Sequence, residues 1–456
     1  MRPHGGALDG RAVGSKSRRM NHLFRRPFPT LALGWLLLVP GLDAQPASKP
    51  DDPYFAKFEP KAAPAPQGLL LQSGDRLAIC GDSITEQKMY SRIIETYLTA
   101  CVPDLKVTVR QYGWSGETAE GFLRRMTNDC LRFKPTIATT CYGMNDHRYQ
   151  PYDDAVARWY LENQTAIVRA FKSAGARVVI GSPGCVGKMP GWVKEAKGTV
   201  EDLNLNLCAF RNHGLELAAQ EGVHFADVFW PMYVAGFEGR KRYGDDYAIA
   251  GKDGVHPDWA GQLVMAYAFL KALGLDGEIG SVTVDFASGQ ATASEGHAVR
   301  GMAGGEVTLE SRRYPFCATG DPAKDNSIRS GMTLVPFNAE LNRFRLVVKN
   351  APGATCKLTW GPTSRSYSAA QLEAGVNLAE DFVENPFTGP FRKIEEAVAV
   401  KQAYETRQIK ALFHGEEGRM NRELTAGFTE QIRQPLAEAV AGALVPVTHR
   451  LKIEAE

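Results

Sequence analysis

Leu77-Ala78-Ile79-Cys80-Gly81-Asp82-Ser83-Ile84-Thr85-Glu86 runs from a short apolar stretch into a glycine-led turn with one serine at its tip. Consecutive apolar residues bounded by a turn signal read as a buried strand. Just past such a strand, the backbone of Ser83 is held while its hydroxyl faces open space, a placement that suits a nucleophile. Gly-Asp-Ser is also an ordinary turn between a strand and a helix. The role of Ser83 therefore depends on what the rest of the chain brings beside it.

From residue 76 to residue 275 strand and helix signals alternate. Apolar runs fall at 77–80, 107–112, 136–142, 178–180 and 223–228, and helical periodicities separate them, such as Ile93/Ile94/Tyr97/Leu98 and Val156/Tyr160/Ile167/Phe171. A last helix is expected from about Pro257 to Leu275. Such alternation means crossover connections, hence a parallel sheet covered by helices on both faces, an α/β fold. Ligands of these sheets bind at the carboxyl ends of the strands. The unusual turns fall on that rim: Gly81-Asp82-Ser83, Gly113-Trp114-Ser115-Gly116-Glu117-Thr118, Gly143-Met144-Asn145-Asp146, and Asp253-Gly254-Val255-His256-Pro257.

Ester hydrolysis by a serine needs a nucleophile, a base, a group that orients the base, and donors for the developing oxyanion. Ser83 supplies a hydroxyl. His256 is the best-placed base among nine histidines, because Asp253 precedes it by three residues on the same rim. In a tight loop that spacing lets the carboxylate reach the imidazole Nδ1–H and leaves Nε2 free. His256 read alone is equally a cap for the helix at Pro257, and Asp253 a turn residue. Gly116 can offer a backbone N–H with no Cβ in the way, Asn145 a side-chain N–H, and Ser83 its own N–H. Asp82 and Asp146 are expected to brace the turns that hold them.

These blocks, in this order, resemble the SGNH (GDSL-type) serine hydrolases. The resemblance spans roughly residues 74–275. It implies a flavodoxin-like three-layer α/β/α domain and a metal-independent serine esterase with no cofactor. On that resemblance Ser83 is the nucleophile, His256 the base, Asp253 its orienting partner, and Ser83, Gly116 and Asn145 form the oxyanion hole.

The substrate is less legible. The segment 229–252 is rich in Tyr, Gly, Arg and Asp, which suits a polar ligand better than an acyl chain, although an ordinary surface loop reads the same way. His147, Trp192, Tyr243 and Tyr247 are the candidate substrate-binding residues. No amphipathic lid announces a lipase, so the expected reaction is removal of short acyl (acetyl) groups from a carbohydrate. The partner is then a small-molecule or polysaccharide ester. A lipid acylhydrolase, a metal-dependent phosphoesterase and a non-catalytic carbohydrate-binding protein are the alternatives. The phosphoesterase lacks the further Asp and His ligands that two metals need.

Beyond residue 280 the rhythm changes to short alternating strands at 282–286, 306–310, 344–349, 356–360 and 447–453, with helices at 388–414 and 435–444. The expected domains are thus a leader (1–44), a Pro/Ala-rich lead-in (45–68), the catalytic domain (69–276) and a β-rich, sandwich-like accessory domain (281–456). The chain holds 53 Lys/Arg and 51 Asp/Glu, of which the first 44 residues take seven and two. The remainder is slightly acidic, which argues against a nucleic-acid surface. Residues 20–44 have the basic start, apolar core and small-residue exit of an export signal, with a core too short to span a bilayer. Periplasmic or extracellular location follows, with no integral membrane segment once the leader is removed. Eight cysteines show no zinc-like spacing. Cys80 and Cys141 read as buried thiols, and Cys317 with Cys356 as the first pair to examine for a bridge.

Overall fold

The computed structural model describes residues 49–194, 197–324 and 326–456. The leader of 1–44 lies outside them. Five parallel strands form the first sheet: β1 (Arg76–Gly81), β2 (Thr108–Gln111), β3 (Ile137–Cys141), β4 (Arg177–Gly181) and β5 (His224–Ala226), in the order β2-β1-β3-β4-β5. Seven helices accompany them: α1 (Ser83–Glu86), α2 (Tyr90–Ala100), α3 (Ala119–Asp129), α4 (Asp154–Ser173), α5 (Val200–Glu221), α6 (Phe229–Tyr243) and α7 (Trp259–Ala272).

Alternate side chains of a strand point to opposite faces, and β1 sorts its residues accordingly. Leu77 and Ile79 join the apolar layer of Ile94, Leu98, Leu263 and Phe269, whereas Ala78 and Cys80 join Phe122, Met126, Tyr160 and Phe171. Both layers are fully buried, so the strands need no polar face and read as apolar runs. This is a three-layer α/β/α arrangement. The chain leaves β1 for β2 on one side and returns to β3 on the other, which makes the end of β1 the switch point where ligands of such sheets sit.

Beyond α7 lie two more sheets. One has the order β13-β10-β6-β7, from β6 (Glu278–Asp285), β7 (Gln290–Ala293), β10 (Arg343–Lys349) and β13 (Val376–Asn377). The other has the order β12-β11-β14-β9-β8, from β8 (His297–Ala303), β9 (Glu306–Ser311), β11 (Thr355–Trp360), β12 (Thr363–Ser368) and β14 (Val447–Ala455). Their inner faces meet through Phe344 and Trp360, with ring centres 5.7 Å apart. Inside, Trp360 Nε1–H donates to His449 Nδ1 at 3.1 Å, His449 Nε2–H donates to Ser311 Oγ at 2.9 Å, and Ser311 O–H donates to His297 Nδ1 at 2.7 Å. His297 Nε2–H ends the relay at Ile279 O, 3.0 Å away. Every polar atom of this buried relay has a partner only if both histidines are neutral, and burial holds His449 at about 3. Short helices α8 (Ile328–Met332), α9 (Phe337–Leu341), α10 (Ala369–Ala374) and α11 (Leu378–Asp381) link the strands. Then α12 (Thr388–Arg407), a π-helical turn at Gln408–Phe413, α13 (Glu416–Met420) and α14 (Arg422–Ala443) precede β14.

Several expectations change. Residues 229–243 form a helix whose Phe229, Trp230, Met232 and Tyr233 are buried, because its aromatic residues recur at helical spacing and pack against the lead-in. There Phe55 and Phe58 are fully buried and Tyr54 stacks on Tyr233 at 5.4 Å. The expected helix at 435–444 begins thirteen residues earlier, at Arg422, and carries Pro435 inside it. Its first turns rest on tertiary packing that the proline signal hid. All eight cysteines are free and buried, so Cys317 and Cys356 are not bridged. Among the described residues no helix is long and apolar enough to cross a membrane.

Candidate active site

The turn after β1 is built by Gly81 and Asp82. A Cβ on Gly81 would lie 2.1 Å from Thr85 Oγ1 and 2.9 Å from Cys141 O, so only glycine lets the chain leave the sheet this tightly. Asp82 caps α1, its Oδ1 accepting from Ile84 N–H at 3.0 Å. Burial raises the Asp82 carboxyl to about 7, and Asp146 nearby adds to the rise. Ser83 follows at the first helical position, half-buried.

The loop before α7 supplies its neighbours. Asp253 Oδ1 accepts from the N–H groups of Val255 and His256, both at 2.9 Å, and closes the loop on itself. Gly251 makes this possible: it has φ +80, and a Cβ there would overlap His256 O at 1.8 Å. His256 Nδ1–H donates to Asp253 Oδ2 at 2.7 Å, and its Nε2 accepts from Ser83 Oγ at 2.7 Å. Burial works to raise the Asp253 carboxyl, but the two N–H groups and the imidazole prevail and hold it below the usual carboxylate value.

Two further rim loops stand beside this relay. Gly116 is exposed with φ +75, a left-handed conformation that glycine adopts without strain. Asn145 Nδ2 donates to Glu117 O at 3.0 Å, which ties the amide to the loop carrying Gly116. The loop is fixed from behind: Arg125 takes both Glu117 oxygens at 2.6 and 2.7 Å, and Tyr142 O–H donates to the same carboxylate at 3.0 Å. Asp146 accepts from Ala119 N–H and Gly143 N–H, both at 2.9 Å, and so joins the β2 and β3 loops. Burial raises Asp146 to about 7.

The four candidate substrate-binding residues separate. Trp192 is exposed, and its ring centre lies 5.5 Å from that of His256. His147, expected at the pocket wall, is wholly buried. Its Nδ1–H donates to Met144 O, its ring packs on Tyr149, and burial lowers it to about 4. The side chain after the Asn145 turn that does reach Asn145 is Tyr149, whose hydroxyl donates to Asn145 Oδ1 at 3.3 Å. Tyr243 lies at the end of α6, donates to Pro322 O at 2.8 Å and stacks on Tyr247. Tyr247 is buried against Gly239 and borders a cavity of about 420 Å³ that extends to Gly251 and Lys252, just before Asp253. Among the described residues no group of three or more His, Cys, Asp or Glu side chains is arranged to hold a metal ion. The Glu117–Arg125 pair was invisible in sequence, since eight residues across a helix start carry no pairing signal.

Residues 79–264 match the model of the GDSL-like Lipase/Acylhydrolase family. The α/β part of the chain is therefore similar to this family over those residues. It is a hydrolase of carboxylic esters. A gut microbial diltiazem-metabolizing enzyme superposes with TM-score 0.67 and 20% identity, covering 84% of this chain and 98% of that one. That likeness shows a shared fold extending well beyond the GDSL-type segment, through most of the β-rich region. An acetylxylan esterase from Geobacillus stearothermophilus aligns over 45% of this chain and 97% of its own, with 21% identity and TM-score 0.37. An alpha/beta hydrolase from the metagenome of Lake Arreo, Spain, aligns over 45% of this chain and 98% of its own, with 21% identity and TM-score 0.36. No curated protein matches the chain by sequence.

Proposed function

We propose that this GDSL-type hydrolase works through an acyl-enzyme on Ser83 and that its substrates are short-chain esters, acetyl groups on carbohydrate above all. The observation that carries the mechanism is the continuous Ser83–His256–Asp253 relay, with both links at 2.7 Å. His256 Nε2 takes the serine proton as Oγ attacks the ester carbonyl. The ionised Asp253 holds the ring in the Nδ1–H tautomer and stabilises the imidazolium that forms. The oxyanion is received by the N–H groups of Ser83 and Gly116 and by the second amide hydrogen of Asn145, the first being engaged by Glu117 O. His256 then protonates the leaving alcohol, and water, activated by the same ring, releases the acid.

Trp192 supports the carbohydrate reading. A half-exposed indole beside the base offers a flat face to a sugar ring. Export is supported by the three-part leader at 20–44. A screen of acetylated glycans against aryl esters of increasing acyl length tests the substrate class. Faster turnover of the acetylated glycans and of the shortest acyl chains is expected, and a preference for long chains would overturn it. Activity abolished by a chelator and restored by a divalent cation would favour the phosphoesterase class instead.

A further inference from the structure

The π-helical turn after α12 reaches into the loop that carries Gly116. Its backbone closes with His414 N–H donating to Ile409 O at 3.3 Å, the five-residue step that widens a helix by one residue. Ile409 and Phe413 are buried in the apolar layer of Phe122 and Tyr142. Lys410 and His414 turn instead to the β2 loop. Lys410 Nζ donates to both oxygens of Glu86, at 2.7 and 2.9 Å. Glu86 Oε2 in turn accepts from Ser115 N–H at 2.5 Å and from Ser115 Oγ at 2.6 Å. Trp114 is enclosed by three cations or imidazoles: Lys410 and Arg125 each 5.0 Å from its ring centre, and the His414 ring edge-on, also at 5.0 Å. His414 Nε2 is itself held by Asp129 Oδ2 at 2.7 Å.

The peptide that joins Ser115 to Gly116 carries the Gly116 N–H. No atom lies within 4 Å of where a Gly116 Cβ would be, so no side-chain packing at that position sets the orientation of the peptide. The turn is held on both sides: Glu117 N–H donates to Trp114 O at 3.1 Å and the Glu117 carboxylate is fixed by Arg125 and Tyr142, while Ser115, one residue back, is held by Glu86. A carboxylate on a two-carbon stem is mobile unless something holds it, and here the holder comes from more than three hundred residues away. Burial would raise Glu86, yet Lys410 and Ser115 keep it below the ordinary carboxylate value, so it is an acceptor at neutral pH.

We propose that Lys410 is a positioning residue of the ester-hydrolysing site: through Glu86 and Ser115 it orients the peptide whose N–H receives the oxyanion. This rests on the reading of Gly116 as an oxyanion donor. It gives the β-rich region a share in the rate, since the turn that bears Lys410 is tied into that region through α12.

The test is the steady-state hydrolysis of p-nitrophenyl acetate by Lys410→Met, Lys410→Arg, Glu86→Gln and the Met/Gln double variant, with Ser83→Ala alongside. Methionine keeps the apolar stem over Trp114 and removes only the ammonium. Lys410→Met is expected to lower kcat about tenfold or more with KM within about twofold, and Lys410→Arg to recover most of that loss. The double variant is expected to be no slower than the slower single variant, as for two members of one relay. Wild-type kcat in Lys410→Met, an Arg variant as slow as the Met variant, or losses that multiply would each overturn the proposal. If Ser83→Ala keeps the wild-type rate, the serine-esterase reading itself fails. If Ser83→Ala is inactive and Lys410→Met is at full rate, only the positioning role fails.

Discussion

Ser83, His256 and Asp253 stand in one line of two 2.7 Å contacts, and each has a different reason for its place. Ser83 is fixed by the strand before it, His256 by a loop that a side chain at Gly251 would break, and Asp253 by two N–H groups of its own loop. Asp253→Asn removes the charge and offers the ring a wrong-handed partner, and kcat is expected to fall by about 10³-fold or more in steady-state assays. A loss below tenfold would show that the carboxylate does not govern the tautomer. Asp82 makes a separate prediction. Its folded-state value of about 7 lies above the ordinary 3.8, so the folded protein holds a proton that the unfolded chain has released between those values. The contribution of Asp82 to stability therefore falls as pH rises through that window. Asparagine keeps the cap with no charge to bury. The Tm of Asp82→Asn relative to wild type is expected to increase from about pH 4 to about pH 8; a constant difference across that range would contradict it.

At the scale of elements, the edge of the parallel sheet explains why the later helices matter. β2 is an edge strand, and its free groups are met by buried side chains. Lys401 Nζ and Arg433 Nη2 donate to Val109 O at 2.8 and 3.1 Å, and Glu405 Oε2 accepts from Gln111 N–H at 3.2 Å. Glu405 also binds Lys401 and Arg433, each at 2.7 Å. Covering an edge in this way prevents strand addition by another chain. Glu405→Gln would leave two buried cations without their shared anion, at a cost of about 3–5 kcal/mol, readable as a lower midpoint in urea unfolding. A change under about 1 kcal/mol would mean that Glu95, 3.1 Å from Lys401, and Glu430, 3.6 Å from Arg433, suffice to compensate the cations. Sequence reading located all five strands of this sheet: the inner β1, β3 and β4 are almost wholly buried and mostly apolar, and the edge strands β2 and β5 show through the alternation of strand and helix signals. It also placed Ser83, Gly116, Asn145, Asp253 and His256 on glycine-marked turns, and in the structure these residues lie on the loops after β1, β2 and β3 and before α7. It missed β7, β8, β12 and β13, which are short, polar or half-exposed and carry no run to see. It missed Lys401 and Glu405 too, since a lysine and a glutamate on a helix read as a solvated face until their partners are known. His147 went astray for a related reason: position beside Asn145 says nothing about which way the ring turns.

On the scale of the whole molecule, one apolar cluster runs from Phe55 in the lead-in through the α2 and α7 layer to Phe344, Trp360 and Leu451 of the sandwich. Tyr97 of α2 illustrates the join, with its hydroxyl donating to Leu341 O at 2.6 Å and its ring beside Phe316 and Phe337. A core shared in this way is expected to melt in one calorimetric transition. Two resolved transitions would show that the sandwich is energetically separate. Reductant is expected to leave that transition unmoved, because the eight cysteines are buried free thiols; a fall in Tm with dithiothreitol would reveal a bridge.

Whether Ser83 accepts the acyl group is read by labelling with a fluorophosphonate followed by mass spectrometry of the modified peptide. A single adduct on Ser83 is predicted, lost in Ser83→Ala and slowed in His256→Ala. An adduct on another residue, or no adduct from a preparation that hydrolyses esters, would contradict the account.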